Sequence, residues 1–260
     1  MNPTKISPQT PFSQPQTVPL RSATAIAAEP VLVVAPHPDD ETLGCAGAIA
    51  LLRSIGSPVH ILVMSDGTQS HPHSRQYPKA VLQQLRAAET RAAMAILGVE
   101  ESCITFFGLP DSAMPTASDP SFSAAVDRCQ TYLTSITPQL VLLPWRHDPH
   151  PDHRATWQIL DAALAGLAMY PRSIEYPIWD WDLNQRQLLA EPGIEPWRLD
   201  ITEVVALKQQ AIAAYLSQTT DLINDDPTGF RLTPELLGNF TQPWELYLEQ
   251  NHESSSISTS

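Results

Sequence analysis

The residues with the most chemical potential form two short clusters, each directly after an apolar run. The first is His37-Pro38-Asp39-Asp40-Glu41, which follows Val31-Leu32-Val33-Val34. The second spans residues 147–153, contains three histidines and follows the apolar residues 140–143. In α/β proteins, functional side chains gather where strands end. The two clusters are therefore predicted to meet and form one site.

The residue types in these clusters predict a metal ion. Catalytic zinc commonly takes three protein ligands from His, Asp and Glu and keeps one position open for water. His37 and Asp40 can both reach one ion across a strand-to-helix turn, and His153 can supply the third ligand from the second cluster. Asp39 then lies beside the metal without binding it. A free carboxylate at that place can act as the general base of a hydrolase.

A purely structural explanation competes with this interpretation. Acids in the first turn of a helix complement its dipole, and Asp or Thr can cap its first N–H groups. That explanation covers Asp39, Asp40 and Glu41, but it leaves the second cluster unexplained, which holds three of the chain's eight histidines. The metal site is therefore the preferred interpretation.

The elements that must position these residues alternate along the chain. Buried strands are predicted at the predominantly apolar runs 31–36, 59–65, 104–108 and 140–145, with 174–179 as a candidate fifth strand. Helical spacing occurs over 42–55, 80–97 and 122–133. This alternation predicts an α/β, Rossmann-like fold, with a mostly parallel sheet and helices on both faces.

Composition sets the expected organisation. Residues 1–29, rich in Pro, Ser, Thr and Gln, are predicted to be a disordered tail, residues 30–250 one catalytic domain, and residues 251–260 a second disordered tail. The first segment has neither the pattern of a signal peptide nor that of a membrane span. Three cysteines without CxxC spacing are expected to be reduced packing residues in a cytoplasmic protein.

Charge and missing motifs exclude other classes of protein. The net charge of −13 disfavours nucleic acid or an anionic membrane surface as the main partner. A nucleotide-binding enzyme is also disfavoured, because the sequence has no GxxxxGK[ST] and no GxGxxG after the first strand.

Both clusters resemble a known family. His37-Pro38-Asp39-Asp40-Glu41 and His150-Pro151-Asp152-His153 are similar to the two signature motifs of the LmbE-like, or PIG-L, deacetylases. The similarity extends over about residues 30–220 and includes Ser65-Asp66-Gly67, Arg86 with Glu89, Gly108-Leu109-Pro110-Asp111, and Lys208 with residues 215–218.

The resemblance implies the LmbE-like fold and a zinc-dependent hydrolase. Such an enzyme removes an N-acetyl group from a small conjugate that contains N-acetylglucosamine. By the same resemblance, His37, Asp40 and His153 bind the metal and Asp39 is the general base. His150 stabilises the oxyanion or donates a proton, and Asp152 orients His150.

Three further residues are candidates for substrate binding. The chain departs from the family's frequent small or polar residues before the second motif, where it has Trp145 and Arg146. An aromatic face can stack on a sugar ring, and a guanidinium can bind a hydroxyl or phosphate. Arg86 resembles a helix arginine of the family, although an i,i+3 pair with Glu89 explains it equally well.

Several alternatives stay open at this point. The chain is expected to be an enzyme, but it can also be a deacylase of a non-sugar N-acyl compound or a non-catalytic, sugar-binding relative. Zinc is the expected cofactor, and ferrous iron suits the same ligands. The aglycone, the acyl length, the oligomeric state and the choice between Asp39 and His150 as proton donor to the leaving amine are undetermined by sequence.

Overall fold

A computed structural model describes residues 14–181 and 193–250 of the chain. The strands in these ranges are β1 (Leu20–Arg21), β2 (Val31–Ala35), β3 (Val59–Ser65), β4 (Ile104–Leu109), β5 (Leu140–Pro144), β6 (Arg172–Tyr176), β7 (Ile194–Asp200) and β8 (Trp244–Gln250). The α-helices are α1 (Asp40–Ser54), α2 (Lys79–Ile96), α3 (Phe122–Ile136), α4 (Pro151–Ala165), α5 (Val205–Ala213), α6 (Leu216–Thr219) and α7 (Pro234–Phe240). Short 3₁₀ turns lie at Pro15–Thr17, Ala23–Ile26, Glu101–Cys103 and Trp179–Trp181.

The strands of the described ranges form a single sheet in the order β1-β7-β8-β6-β5-β2-β3-β4. Neighbouring strands are parallel along the stretch β6-β5-β2-β3-β4, and β1 is parallel to β7. Among these described strands, only β8 runs antiparallel to its neighbours, β6 and β7. The predicted α/β class and the mostly parallel sheet are therefore confirmed.

Helices cover both faces of the sheet, as β2 shows most directly. Val31, Val33 and Ala35 belong to a core cluster that includes residues of α1, α2 and α5. Leu32 and Val34 belong to a second cluster, built mainly on α3 and α4. Alternate residues of a strand point to opposite faces, so a strand buried on both sides must be apolar throughout.

The structure corrects the predicted N-terminal tail. Residues 14–29 contain two 3₁₀ turns and β1, which pairs in parallel with β7 through Leu20 and Arg198. Ile26 is fully buried in the larger core cluster. Residues 1–13 and the predicted tail at 251–260 lie outside the described residues.

Two further expectations concern cysteines and membranes. Cys45, Cys103 and Cys129 are all free thiols. Of the helices in the described ranges, none combines the length and hydropathy that a membrane span requires.

Candidate active site

The two predicted clusters meet at the carboxyl ends of neighbouring strands. Because β2 and β5 pair directly and in parallel, the segments that follow them leave the same edge of the sheet. One leads through His37 into α1, and the other through His150 into α4. The imidazole centroid of His37 lies 4.8 Å from that of His150 and 5.3 Å from that of His153, and the last two are 5.2 Å apart.

Asp40 lies between two of these imidazoles. Its Oδ2 is 3.1 Å from Nδ1 of His37 and 3.2 Å from Nε2 of His153. The same oxygen accepts the backbone N–H of His37 at 2.9 Å. Burial alone would raise the pKa of Asp40, but the imidazoles of His153 and His37 hold that pKa well below its usual value. Asp40 is therefore ionised and able to act as a ligand.

His153 is completely buried between two carboxylates. Its Nε2 faces Asp40, and its Nδ1 lies 3.3 Å from Oδ2 of Asp148. Burial opposes a charge on the ring, yet Asp148 and Asp40 raise the pKa of His153 to about 9. Within the described part of the chain, neither ring nitrogen has a hydrogen bond of acceptable angle. These features fit a metal cation, with Asp148 orienting the ring from the far side.

The predicted ligands, His37, Asp40 and His153, offer two imidazoles and one carboxylate, which suits a catalytic zinc site. Among the described residues, two groups have ligand atoms that all lie within 4.8 Å of one another: His37 with His150 and His153, and His37 with Asp111 and Asp152. Neither of these two groups includes Asp40. Every group includes His37. A metal is therefore expected next to this side chain, and the exact ligand set stays a prediction.

Asp39 has a strained backbone beside the ligand group. Its φ of 122° is unusual for a residue other than glycine, and such strain clusters at functional sites. Glu41 accepts the backbone N–H of Asp39 at 3.2 Å, and Arg86 donates to Oδ2 of Asp39 at 3.0 Å. Burial raises the pKa of Asp39 to about 8, against the lowering effect of Arg86. Such a carboxyl group can accept and release a proton near neutral pH.

Arg86 supports the segment that contains Asp39. It is buried, and besides Asp39 it donates to the carbonyl groups of Gly67 and Pro38. The alternative pair with Glu89 does not occur among the described ion pairs, because Glu89 instead accepts the N–H and the hydroxyl of Ser217 at 2.7 and 2.6 Å. Arg86 also lines the cavity, so a contact with substrate stays a prediction.

His150 caps α4 and is neutral near pH 7. Its Nδ1 accepts the backbone N–H of Asp152 at 3.2 Å. Burial, assisted by the neighbouring imidazoles, lowers the pKa of His150 to about 4. A neutral imidazole whose Nδ1 accepts a hydrogen bond carries its proton on Nε2. His150 can therefore still donate a hydrogen bond without being charged.

The resemblance implies that Asp152 orients His150, but the structure places the carboxylate of Asp152 beside His37. Its Oδ2 is 3.1 Å from Nε2 of His37 and accepts the backbone N–H of Ser112 at 2.7 Å. The backbone of Asp152, and not its carboxylate, holds His150 in this structure.

Beside these groups lies a cavity of about 410 Å³, lined by His37, Asp39, Asp40 and His150.

Trp145 and Arg146, the two predicted substrate-binding residues before the second motif, are not among the described residues that line this cavity. Trp145 is buried, with its ring 5.1 Å from that of His147. Arg146 forms an ion pair with Glu175, a buried carboxylate on the adjacent strand. Because a buried carboxylate requires a cation, Glu175 accounts for the position of Arg146, and the structure gives no support to substrate binding by either residue.

Two site residues had no predicted role. Asp148 is fully buried beside His153, and Asp111 lines the cavity with its Oδ1 3.4 Å from Nε2 of His37. Burial would raise the pKa of Asp111, but the contact with His37 lowers it to about 2. Asp148 lies within the second cluster, and Asp111 ends the segment Gly108-Leu109-Pro110-Asp111, so membership of these two segments is the signal that the sequence offers.

Comparison with known proteins identifies a family for this chain. The chain matches the PIG-L family, described as GlcNAc-PI de-N-acetylase, over residues 32–164. The "Probable N-acetyl-alpha-D-glucosaminyl L-malate deacetylase 2" of Bacillus subtilis is 28% identical over 202 residues, which cover 76% of this chain and 86% of the relative. The 1D-myo-inositol 2-acetamido-2-deoxy-alpha-D-glucopyranoside deacetylase of Rhodococcus erythropolis is 27% identical in an alignment of length 246, and the match covers 75% of this chain and 82% of the relative.

A solved structure shares the fold. The N,N'-diacetylchitobiose deacetylase from Pyrococcus horikoshii superposes with a TM-score of 0.58 at 24% identity, over 75% of this chain and 73% of that one. The family match covers half of the chain and includes both signature segments. The chain therefore belongs to the PIG-L family, as those two segments predicted.

Proposed function

We propose that this protein is a metal-dependent N-deacetylase that removes the acetyl group from an N-acetylglucosamine-containing conjugate. The named relatives are deacetylases of such conjugates. One observation carries the proposal for this chain: the buried, strained Asp39 lies immediately beside the group of His37, Asp40 and His153, and Arg86 holds its carboxyl group. A non-catalytic relative has no need of an unliganded acid in a strained conformation at this place.

His37, Asp40 and His153 would hold the metal. A bound zinc or ferrous ion would lower the pKa of a water molecule and polarise the amide carbonyl group. His153 is fixed for this task by Asp148, and Asp40 by the backbone N–H of His37. Such supporting contacts set the tautomer and orientation of ligands and affect affinity strongly.

Asp39 transfers the protons. Its carboxylate accepts a proton from the attacking water and, once protonated, can return it to the leaving nitrogen. A pKa raised by burial toward neutrality suits both directions. Arg86 holds Oδ2 of Asp39 in a fixed position. The carboxyl group is therefore already oriented for proton transfer when the substrate binds.

His150 stabilises the developing negative charge on the carbonyl oxygen. Its Nδ1 is occupied by the N–H of Asp152, so its Nε2–H is the group available to the cavity. Loss of one well-placed donor of this kind typically slows catalysis by about 10²- to 10³-fold. Because His150 is neutral in the resting site, the returning proton is assigned to Asp39 rather than to His150.

The experiment that tests the proposal is acetate release by the metal-loaded protein. The substrates are the methyl glycoside of N-acetylglucosamine, its malate and inositol conjugates, and N-acetylbenzylamine as a non-sugar amide. Release from at least one of the sugars, with little from the benzylamide, is expected. Release from the benzylamide alone would assign the chain to a non-sugar deacylase. No release from any compound at one bound metal per chain would favour the binding role.

A further inference from the structure

Part of the cavity lining is apolar. We call it the apolar wall, and it is formed by Leu43, Ile178, Trp179, Phe230, Leu232 and Leu236. Leu43, Ile178 and Leu232 are buried and continuous with the larger core cluster, whereas Trp179, Phe230 and Leu236 are partly exposed to the cavity. The wall comes from three separate segments of the chain, so its assembly at the cavity is a property of the fold.

The apolar wall contacts the catalytic group directly. The ring of Trp179 is stacked on that of His150, with centroids 6.1 Å apart and planes inclined by 25°. Phe230 meets Trp179 edge to face at 5.5 Å. A substrate whose amide lies at His150 must therefore place its neighbouring atoms against these two aromatic rings.

Backbone hydrogen bonds hold the wall in place. The N–H groups of Ile178 and Trp179 donate to Oδ2 of Asp148 at 3.2 and 3.1 Å. The N–H of Phe230 donates to the carbonyl of Ser70 at 2.7 Å, and that of Leu232 to the carbonyl of Gln218 at 2.8 Å. The wall is thus preformed, and a ligand does not have to order it, which reduces the cost of binding.

The charges that line the cavity disfavour an anionic substrate group. The lining includes the acids Asp39, Asp40 and Asp111. Arg86 is the one lysine or arginine among the lining residues that the structure describes, and both of its terminal nitrogens already donate to Asp39 or to backbone carbonyls. Among the described lining residues, and apart from the proposed metal, a carboxylate or phosphate on the substrate would find no uncommitted lysine or arginine.

We infer that the apolar wall binds an uncharged alkyl or aryl group of the substrate, adjacent to the scissile amide. This inference rests on the proposed deacetylase function and names the class of conjugate. The apolar group can belong to the acyl chain, which is bonded to the amide carbonyl carbon, or to the aglycone, which is attached at the sugar carbon next to the one that carries the amide nitrogen. It differs from the dicarboxylic malate group that the name of the Bacillus subtilis relative specifies.

The test compares kcat/KM for four glucosamine derivatives: the methyl, octyl and malate glycosides of N-acetylglucosamine, and the methyl glycoside of N-octanoylglucosamine. Each buried methylene group changes affinity by about fourfold. The octyl glycoside or the octanoyl amide is therefore expected to exceed the methyl glycoside of N-acetylglucosamine at least tenfold, and the malate glycoside to be the poorest substrate. We call the octyl glycoside and the octanoyl amide the two octyl compounds. The one with the higher kcat/KM identifies whether the aglycone or the acyl chain occupies the wall.

Variants connect the preference to the wall. Phe230→Ala and Trp179→Ala should each reduce the octyl-to-methyl ratio at least fivefold, whereas Phe230→Leu, which stays apolar, should keep most of it. Tyr170→Ala changes an exposed aromatic side chain outside the cavity lining and should leave the ratio unchanged. Each ratio compares kcat/KM of the better octyl compound with kcat/KM of the methyl glycoside for the same variant. A variant with reduced activity can therefore still be evaluated.

The outcomes separate the two claims. Turnover with equal kcat/KM for the methyl and both octyl compounds, or with the malate glycoside as the best substrate, would overturn the apolar wall and leave the deacetylase proposal intact. No turnover of any compound would overturn the proposed function. In that case, calorimetric binding of the octyl and methyl glycosides to the protein decides on the wall: tighter binding of the octyl compound supports it, and equal binding overturns it.

Discussion

The carboxylate of Glu41 accepts the backbone N–H of Asp39, the proposed base two residues earlier in the chain, at 3.2 Å. Its other oxygen accepts hydroxyl hydrogens from Tyr215 and Thr42. Glu41 is fully buried at the start of α1. This contact gives the strained φ of Asp39 a structural cause, since the peptide N–H points at a carboxylate fixed from the other side.

Replacing Glu41 should therefore disturb Asp39. Glu41→Leu leaves the N–H of Asp39 and the hydroxyl of Tyr215 without their acceptor, and a buried unsatisfied group costs about 1–3 kcal/mol. We expect a loss of stability of this size in urea unfolding and at least a tenfold lower kcat. Glu41→Gln can still accept the N–H of Asp39 and serves as the control. Equal kcat for Glu41→Leu and the natural protein would contradict this role.

Asp148 should control metal affinity without being a ligand. Asp148→Asn removes the negative charge beside Nδ1 of His153 but keeps the size of the side chain. Loss of such a supporting carboxylate typically weakens metal binding about 10- to 100-fold. Competition with a chelator of known affinity measures the change. Asp119→Asn alters an exposed acid and is the matched control; equal metal affinity of the two variants would rule out the role of Asp148.

The pH dependence of kcat/KM should report Asp39. The base must be ionised to accept a proton, so activity should rise with pH through the pKa of Asp39, which burial raises to about 8. A bound divalent cation lowers the pKa of a nearby acid, and the midpoint should therefore lie at or below about 8. Loss of the proton from His150, whose pKa is about 4, should have no effect at higher pH. Activity that falls between about pH 6 and 8 would indicate a required protonated group instead.

A buried ion pair stabilises the helix that begins at the site. Nζ of Lys208 donates to Oε1 of Glu245 and to the carbonyl of Leu43, both at 2.7 Å, while Glu245 accepts the N–H groups of Gly47 and Ala48 in α1. Lys208→Met leaves a buried carboxylate unpaired, which should cost about 3–5 kcal/mol. Urea unfolding measures this loss. The double variant Lys208→Met with Glu245→Gln should recover part of it, and a single variant as stable as the natural protein would refute the account.

The sequence predicted the central part of the fold well. The predominantly apolar sequences of β2, β3 and β5 reflect the burial of these strands on both faces of the sheet. The edge region was harder to predict. β7 includes Pro196 and charged residues, and β8 pairs with it in antiparallel register across more than forty residues of sequence, so no local pattern identifies their contact.

The site was predictable to the extent that its chemistry is local in sequence. His37, Asp40 and His153 come from two motifs at the ends of adjacent strands, and the fold brings them together. The surroundings depend on tertiary contacts instead. Arg146 is held by Glu175 on the neighbouring strand, and Phe230 reaches the cavity through a backbone contact with Ser70. Neither partner can be identified from spacing along the chain.

The measurement that tests the account most directly is acetate release by Asp39→Asn beside the natural protein, with metal content determined on the same samples. Asn keeps the shape of the side chain and an oxygen for Arg86 but cannot accept a proton. We predict one bound metal per chain in both proteins and at least a hundredfold lower turnover in the variant, with Asp200→Asn, an exposed acid, as control. Turnover within about tenfold of the natural protein at equal metal content would contradict Asp39 as the general base.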